Sequence, residues 1–516
     1  MPTLAELKAK WFIPMDGSTP DGVPCRRHAQ SVGPIALAVS TDGNIVESIV
    51  DGQQYMTRWH ASAAAIHGAA GAEFFHGAWR LEDVFTQGVT LGPPHALEDI
   101  LAAHLSPVFT IPLLCRNLGT FRFNRTTLGW LRSRGVSKTC LDNRFPAPFG
   151  SNHQKFAVFK TAAAASAYLG SIDIAKTRWD TPAHLAVNRD RDPALGKQTH
   201  DTGAFVQGLA VGDIEKTFRE RWNDSSRTFG LTPLLPSQPL ITSPVAAFPA
   251  GGSHSVQVLR TYGITGALFG YSWFASGEFT VWASYLNAIK RATVYIYIED
   301  QYFLPFDWPP CYARTGLAQA TDIIFQLGEA IKRGVKVAIL TPSNAEDSAH
   351  MYQKYQRDVG VNYLESVRAA LPGGATGDVV VASMKTGATD VYIHSKLMIV
   401  DDEFVNVGST NVGQRSMSFD SELHIGVVDD NDTFAKEFRK TLWNELTGQS
   451  PAALDDPVAA YGLFKTATAT SAVHLKPYPV DPLAVYPAVA GSTPPPFGHR
   501  SAMQRIDPYA GPPGLR

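Results

Sequence analysis

Cysteine is scarce in this sequence: only four of the 516 residues are cysteine, and no two of them form a CxxC pair. They are Cys25, Cys115, Cys140 and Cys311. Thiols so few and so scattered exclude the disulfide framework of a small secreted domain and a cysteine-based zinc site. We therefore expect four buried or unreactive thiols.

The sequence also lacks long apolar runs and an excess of charge of either sign. No stretch approaches the ~20 apolar residues of a membrane-spanning helix, and the N-terminus MPTLAELKAKWFIPMDGS has no apolar core after a basic start, which argues against a secretory signal. The formal net charge is −2, so no overall basic character attracts nucleic acid. We expect a soluble chain with at most peripheral membrane contact. Cytoplasm is the default location, and export by a signal-less route stays open.

An internal repeat is the most informative feature that the sequence does have. Its second copy begins with an amphipathic helix at 281–292, a β-branched strand at 294–298 and a helix that stops at Gly334. The copy continues with VKVAIL, IHSKLMIV (393–400), FVNVGSTN (404–411), ELHIGVV and the helix FAKEFRKTLWNEL. The first copy repeats this order with a helix at 53–66, a strand at 73–81, a helix followed by PVFTIPLL, NHQKFAVF (152–159), AYLGSID (167–173), AFVQGLAV and the helix IEKTFRERWN.

Two copies of a strand–helix pattern predict an α/β protein. We expect two homologous α/β/α lobes with mixed central sheets, facing each other across a pseudo-two-fold axis. Segments rich in proline and serine predict a linker between the lobes and an extended or partly disordered tail. The predicted order is an N-terminal extension (1–34), a first lobe (35–229), a linker (230–254), a second lobe (255–450) and a Pro-rich C-terminal tail (451–516).

Each copy carries a histidine and a lysine separated by one residue, in a segment predicted as a strand: His153 with Lys155, and His394 with Lys396. Residues two apart on a strand project to the same face, so each pair should point at one spot. A single HxK is usually without function, but two in register, each followed by Gly-Ser, indicate a shared site. Because buried lysine is rare without a partner, two lysines on apolar strands predict an anionic ligand.

These motifs resemble the phospholipase D superfamily. HSKLMIVD followed by GSTNVGQRS is similar to that family's HxK(x)4D(x)6GSxN pattern, and YLGSIDIAKTRWDTPAH resembles the eukaryotic-type GGIDL and GRWDTPxH. The segments YIYIEDQYF (295–303) and HDTGAFVQG (200–208) resemble IENQYF and HDVHxxIxG. The resemblance covers roughly residues 35–450 and implies the two-lobed phospholipase D fold.

The resemblance implies a metal-independent phosphodiesterase that works in two steps through a phosphohistidine. It makes His153 the nucleophile and His394 the general acid and base. Lys155 and Lys396 would balance the charge of the phosphoryl oxygens. The expected hydrogen-bond donors to those oxygens are Ser171, Ser409 and Asn411. No metal and no other cofactor is expected.

An acceptor on the far ring nitrogen would fix the tautomer of each imidazole. Aligning the strands of the two halves suggests Asp201 as this acceptor in the first half and Glu422 in the second. Asp180 is an alternative to Asp201. The aspartate of the motif is Asp401 in the second copy, but Lys160 stands there in the first. Strand alternation turns this position away from the His–Lys face, so Asp401 is expected to be structural. Lysine at this place leaves open a catalytically impaired protein that only binds lipid.

The eukaryotic-type motifs and the slightly acidic charge favour a lipid substrate over nucleic acid. An aromatic loop at 301–310 suits contact with a membrane surface, although packing over the sheet edge explains it equally well; its aromatic residues are Tyr302, Phe303, Phe306 and Trp308. The leading hypothesis is hydrolysis of a glycerophospholipid such as phosphatidylcholine to phosphatidate and free head group, with water or a primary alcohol as acceptor. A phosphatidyl transferase of cardiolipin-synthase type and a nuclease are the alternatives. The oligomeric state, a monomer included, is left open.

Overall fold

The computed structural model describes most of the chain in separate stretches. They are residues 2–14, 37–66, 69–82, 109–115, 121–133, 136, 138–142, 151–187, 197–224, 240–263, 277–305, 322–344, 351–431 and 433–482. Within them, strands and helices alternate, and two sheets of the same order form the centre of the protein.

The first sheet contains seven strands, and the first half also contributes a two-residue strand, β7, that pairs with the strand Thr389–Ile393 of the second half. The strands are β1 (Thr41–Val50), β2 (Glu73–Ala78), β3 (Phe109–Cys115), β4 (Cys140–Asp142), β5 (Phe156–Lys160), β6 (Ala165–Gly170), β7 (Thr199–His200) and β8 (Thr202–Gln207). Their order in the sheet is β4-β3-β2-β5-β6-β8-β1. Strands β2, β3 and β4 are parallel, and the remaining pairings are antiparallel.

The second sheet repeats this order and sense. Its strands are β9 (His254–Tyr262), β10 (Glu278–Phe279), β11 (Tyr295–Asp300), β12 (Lys336–Leu340), β13 (Asp378–Thr386), β14 (Thr389–Ile393), β15 (Lys396–Val400), β16 (Phe404–Gly408), β17 (Glu422–Asp429) and β18 (Leu475–Pro477). The order β13-β12-β11-β15-β16-β17-β9 matches the first sheet strand for strand. The predicted α/β fold with mixed sheets is therefore confirmed.

Apolar periodicity predicts the helices at 51–65, 210–223, 280–291, 323–332 and 434–447, and the helix predicted at HALEDILAAHL lies outside the described residues. Ten helices in all cover the sheets in the described part of the chain. They are α1 (Leu4–Trp11), α2 (Asp51–Ala65), α3 (Phe121–Ser133), α4 (Ala210–Asn223), α5 (Thr280–Arg291), α6 (Ile323–Lys332), α7 (Met351–Ala369), α8 (Gln414–Ser418), α9 (Phe434–Thr447) and α10 (Pro457–Ala469). Helix α6 ends as predicted before Gly334, which has a φ of 100° that favours glycine. No helix among the described residues combines the length and apolar character needed to cross a bilayer.

Side chains of both sheets share one apolar core. Val206 on β8 and Val407 on β16 belong to the same buried cluster, together with Phe218 of α4 and Trp443 of α9. Strands β1 and β9 also pair, so the sheets are joined along one edge. Burying one such apolar side chain contributes ~1.5–3 kcal/mol, so the shared core stabilises the docking of the two halves as well as each sheet.

The prediction of an extended or disordered tail is wrong for residues 451–482. Helix α10 begins at an Asp456 cap with Pro457 in its first turn, and it buries Tyr461 and Phe464 in the shared core. Strand β18 then pairs with β13. Residues 483–516 lie outside the described residues. At the other end, α1 of the predicted extension packs Trp11 in a stack on Phe404 of the second sheet.

Candidate active site between the two halves

The two histidines lie in short segments just before β5 and β15, whereas the sequence predicted them on the strands themselves. His153 and Lys155 precede the first residue of β5, and His394 lies in the two-residue break between β14 and β15. The backbone of each segment pairs with the other half of the molecule: His153 N donates to Ser421 O at 3.0 Å, and His394 N donates to His200 O at 2.8 Å. These pairings draw the histidines out of their own sheets and into the interface.

Glu422 holds the His153 ring. The Nδ1 atom of His153 lies 2.9 Å from Glu422 Oε1 and 3.1 Å from the carbonyl oxygen of Ser409. A carboxylate and a carbonyl can only accept, so this nitrogen carries the proton. The Nε2 atom of His153 therefore keeps its lone pair, as a nucleophile requires.

Asp201 holds the His394 ring in the same way. The Nδ1 atom of His394 lies 3.0 Å from Asp201 Oδ2 and 3.2 Å from Oδ1. Both imidazoles are almost completely buried, with exposed fractions of 4% for His153 and 2% for His394. Each ring is thus fixed in orientation and tautomer by a buried carboxylate.

The carboxylates are exchanged between the halves. Asp201 of the first half contacts His394, and Glu422 of the second half contacts His153. Aligning the strands of the two halves predicted both carboxylates. It did not indicate that each carboxylate accepts a hydrogen bond from the histidine of the other half. The competing candidate, Asp180, accepts instead from Thr199 N at 2.9 Å and lies 3.2 Å from His184 Nδ1.

Both lysines lie beside their histidines. Lys155 Nζ donates to His153 O at 2.9 Å and lies 3.6 Å from Asp173 Oδ2. Lys396 Nζ donates to His394 O at 2.5 Å and to Gln301 Oε1 at 2.9 Å. Both are buried, and no carboxylate among the described residues accepts a hydrogen bond from either ammonium group, so both are placed to bind an anionic ligand.

The electrostatics show that the two halves form one site. Burial lowers the pKa of His394 well below its usual value, and Arg178, Lys396, Lys155 and His153 lower it further. The pKa of His153 is likewise lowered well below its usual value by burial, then by Lys155 and Lys396. Each imidazole is therefore affected by the cations of both motifs, and both are neutral near pH 7.

Burial also shifts the groups around the imidazoles. It lowers the pKa of Lys396 to about 7. The positive charge of Lys155 lowers this pKa as well, whereas the negative charges of Asp201 and Asp300 raise it. It raises the pKa of Asp201 to about 6 and that of Glu422 well above its usual value. Such shifts are typical of functional sites, where charged groups are held in a dry environment until a ligand of opposite charge arrives.

The three predicted phosphate-binding residues, Ser171, Ser409 and Asn411, differ in their hydrogen-bond partners. Ser171 Oγ donates to Asp201, and Ser409 Oγ donates to Glu422 Oε2 at 2.6 Å, so both hydroxyls support the carboxylates. Asn411 is fully buried, and its side-chain amide has no hydrogen-bond partner among the described residues. Because a buried amide without a partner is costly, Asn411 is the better candidate for a ligand contact.

Several residues near the site were not predicted. Trp79 packs edge-on to His153 with ring centroids 6.2 Å apart, and Lys155 Nζ lies 5.8 Å above the Trp79 ring. Arg178 and Arg415 contribute positive charge near His394 and His153 respectively. Both arginines lie in segments that carry the family resemblance, TRWDTPAH and GSTNVGQRS, but no role was assigned to them from the sequence.

The Asp401 position of the motif lies outside this group of contacts, in agreement with its expected structural role. Its carboxylate accepts from the backbone N–H groups of Thr293, Val294 and Tyr295 at 2.8–2.9 Å, where β11 begins. Lys160 stands at the equivalent place in the first half and pairs with Glu73 at 2.7 Å. The lysine therefore replaces one structural contact with another and leaves the histidine pair intact.

Two of the four aromatic residues of the 301–310 loop belong to the described residues. Tyr302 and Phe303 are buried, so they are unable to contact a membrane surface in this conformation. Phe306 and Trp308 lie outside the described residues.

Comparisons with known proteins identify the family of the chain. A family model described as "Phospholipase D" matches residues 132–333, and one described as "Cardiolipin synthase, PLD-like domain" matches residues 285–446. The chain belongs to the phospholipase D superfamily. The two matches together span both HxK motifs of this superfamily member.

Curated relatives of this superfamily member are distant. "Phospholipase D A" of Dictyostelium discoideum is 28% identical over 312 residues, which cover 52% of this chain and 22% of that protein. "Phospholipase D alpha 4" of Arabidopsis thaliana is 26% identical over 421 residues, which cover 66% of this chain and 54% of that protein. The chain thus spans about half or less of the length of these relatives. Among solved structures, the phosphatidylserine synthase of Haemophilus influenzae is 12% identical, covers 83% of this chain and 93% of its own, and has a TM-score of 0.48.

Proposed function

We propose that this protein is a phospholipase D-type phosphodiesterase that hydrolyses glycerophospholipids such as phosphatidylcholine to phosphatidate and the free head group. The observation that carries the proposal is the pair of neutral, buried imidazoles, each oriented by a carboxylate from the opposite half and flanked by a lysine. Such a site offers a nucleophile, a general acid and two cations without a metal ion. The names of the curated relatives support the same reaction class.

In the first step, His153 Nε2 attacks phosphorus and the bond from phosphorus to the head-group oxygen breaks. His394 gives a proton to the leaving oxygen, for which it must first be protonated. Binding an anionic phosphodiester raises the pKa of His394 and so supplies the acid. The product of this step is a phosphatidyl group bound to His153 and a free alcohol.

In the second step, His394 accepts a proton from water and the resulting hydroxide attacks phosphorus. The bond between phosphorus and nitrogen breaks, and phosphatidate leaves with His153 again neutral. A primary alcohol in place of water gives a new phosphodiester by the same path, so transfer should compete with hydrolysis. Lys155 and Lys396 stabilise the charge on the non-bridging oxygens in both steps.

The experiment that tests this proposal follows choline release from phosphatidylcholine in mixed vesicles. His153→Ala should lose on the order of 10⁴- to 10⁶-fold in kcat. After alkaline denaturation and digestion, which preserve the acid-labile phosphorus–nitrogen bond, label from ³²P-phosphatidylcholine should be found on a peptide containing His153 in the wild-type protein. His474→Ala is the matched control, because His474 contacts Thr386 and lies outside the site. Undiminished release by His153→Ala would exclude this nucleophile, and absence of any labelled histidine would favour a protein that only binds lipid.

A phosphatidyl transferase of cardiolipin-synthase type is the second candidate. It is favoured by the match of the second half to the "Cardiolipin synthase, PLD-like domain" model. A panel of phosphatidylcholine, phosphatidylglycerol and single-stranded DNA, each with and without glycerol, separates the candidates. The proposed hydrolase releases choline without an acceptor alcohol; a transferase needs phosphatidylglycerol or glycerol, and a nuclease cuts only the DNA.

A further inference from the structure

The residue between His153 and Lys155 is a buried glutamine that has no part in the proposed mechanism. The side chain of Gln154 is fully buried and contacts both halves of the molecule. The HxK pattern leaves this position unspecified, so the motif gives no reason for a glutamine here. A buried amide needs hydrogen-bond partners, because an unsatisfied polar group destabilises the fold. The partners of Gln154 therefore show which parts of the site its side chain holds together.

One end of the Gln154 amide is anchored to the first half. Its Oε1 atom accepts from Arg221 Nη1 at 2.5 Å. Arg221 of α4 is fully buried, and its Nε and Nη2 atoms donate to Asp142 Oδ2 at 3.1 and 2.8 Å. A guanidinium group paired with a carboxylate through two N–H groups has a fixed orientation. The oxygen of Gln154 is thus held by a group that connects α4 to the end of β4.

The other end of the amide is anchored to the second half. Gln154 Nε2 donates to the backbone carbonyl oxygen of Glu422, the first residue of β17, at 3.2 Å. It also lies 3.0 Å from the hydroxyl oxygen of Tyr262, the last residue of β9. Only one orientation of the amide satisfies its contacts, since the guanidinium of Arg221 only donates and a backbone carbonyl only accepts. The side chain therefore connects the first half to the residue that orients the His153 ring.

Backbone hydrogen bonds align the residues before Gln154 with the same part of the second half. His153 N donates to Ser421 O, and Ser421 N donates to Ser151 O, both at 3.0 Å. The Gln154 amide extends this connection by one residue, to the carbonyl of Glu422. The bond between His153 Nδ1 and Glu422 Oε1, 2.9 Å long, thus joins two residues whose backbones are fixed relative to each other.

We propose that Gln154 is a positioning residue for the first step of the reaction. Its amide fixes His153 relative to Glu422, and so directs the Nε2 atom of His153 at phosphorus. This inference rests on the proposed function, in which His153 is the nucleophile. A displacement of about 1 Å at a reacting group can lower a rate by about 10²-fold, so a side chain that does not touch the substrate can still limit catalysis.

The equivalent residue of the second motif, Ser395, makes a weaker connection of the same kind. Its Oγ lies 3.5 Å from the carbonyl oxygen of His200, at the limit of a hydrogen bond. His200 precedes Asp201, the carboxylate partner of His394. The middle residue of each motif thus faces the backbone beside the carboxylate of the other half. The stronger of the two connections belongs to the motif of the proposed nucleophile.

The test compares Gln154→Met with Gln257→Met in choline release from phosphatidylcholine. Methionine has nearly the length of glutamine but lacks the amide. Gln257 is the matched control, because it is also fully buried and its amide makes three hydrogen bonds, to the backbone of Ile13 and Val39 rather than to either motif. Both variants should show similar decreases in melting temperature. Only Gln154→Met should lower kcat, on the order of 10²-fold, with KM within about twofold of wild type.

A folded Gln154→Met protein with an unchanged kcat would overturn the inference, as would an equal loss of kcat in Gln257→Met. Gln154→Glu provides for the case in which the methionine variant does not fold. Glutamate has the same length and keeps an acceptor for Arg221, but it places an oxygen instead of a donor against the Glu422 carbonyl. The same loss of kcat is expected, and unchanged kcat in this folded variant would also overturn the inference.

A readout that does not need turnover separates this inference from the proposed function. Nuclear magnetic resonance of protein labelled with ¹⁵N-histidine should show a strongly deshielded Nδ1 proton of His153, identified by its absence from His153→Gln. Gln154→Met should shift or broaden this resonance, and Gln257→Met should leave it in place. That result in a wild-type protein without phosphodiesterase activity would support the alignment of His153 by Gln154 and exclude the proposed function. An unchanged resonance in folded Gln154→Met would overturn the inference whether or not the protein is active.

Discussion

Replacing Glu422 by glutamine removes the negative charge that orients His153 and tests the exchange of carboxylates between the halves. The side chain accepts from His153 Nδ1 at 2.9 Å and from Ser409 Oγ at 2.6 Å. Glutamine has the same shape and can still accept one of these bonds through its oxygen. The variant therefore isolates the charge-assisted bond with little change in packing.

The size of the effect follows from that single bond. A hydrogen bond to a charged group contributes ~1.5–3 kcal/mol, and a tenfold change in rate corresponds to about 1.36 kcal/mol. Glu422→Gln should therefore lower kcat/KM by about 10- to 150-fold. If the glutamine turns its amide nitrogen toward His153, the wrong tautomer forms and the loss approaches the ~10⁴-fold seen for an analogous change in a serine protease triad.

Rapid-quench kinetics with labelled phosphatidylcholine is the assay, and Asp201→Asn is the partner variant. Glu422→Gln should slow formation of the covalent intermediate, because His153 is the nucleophile. Asp201→Asn should slow both formation and hydrolysis, because His394 acts in each step. A folded Glu422→Gln protein with kcat/KM within twofold of wild type would refute the reasoning, as would identical effects of the two variants on the separate steps.

Three further predictions concern residues with distinct roles. Because the pKa of Lys396 is about 7, kcat/KM should fall as pH rises through about 7. It should also fall as pH drops through about 6, where Asp201 takes up a proton and no longer orients His394 as a carboxylate. Lys396→Arg should remove the alkaline decline, and a flat profile from pH 6.5 to 9 would contradict the assignment. Asn411→Ala should raise KM for phosphatidylcholine, with ~1–3 kcal/mol of binding lost if its amide contacts phosphate and unchanged KM if it does not. Asp401→Ala should lower the melting temperature, since three backbone N–H groups lose a carboxylate worth ~1–3 kcal/mol, while kcat stays unchanged; a large loss of kcat at constant stability would give Asp401 a direct catalytic role.

Much of the fold could be predicted from local patterns in the sequence. Apolar periodicity is a property of neighbouring residues, so the helices α5 and α9 begin and end within a residue of their predicted positions, and the strands β15 and β16 lie inside the segments predicted for them. The C-terminal helix α10 was missed, although Ala460, Phe464 and Ala467 have helical spacing and Asp456 with Pro457 forms a recognisable start. The proline content of the residues that follow outweighed this signal.

Contacts between the halves were not predictable in the same way. His153 and Glu422 are 269 residues apart, and their pairing depends on how two separately folded sheets dock. The same docking pulls His153 out of β5, because its backbone pairs with Ser421 rather than with a strand of its own sheet.

The most direct test of the account is a crystal structure of the protein with vanadate, which imitates a phosphoryl group in transfer. The account predicts vanadium bonded to His153 Nε2, with His394 Nε2 on the opposite side and both Lys155 and Lys396 contacting the equatorial oxygens. Vanadate held by the residues of one half alone, or found away from both histidines, would contradict it.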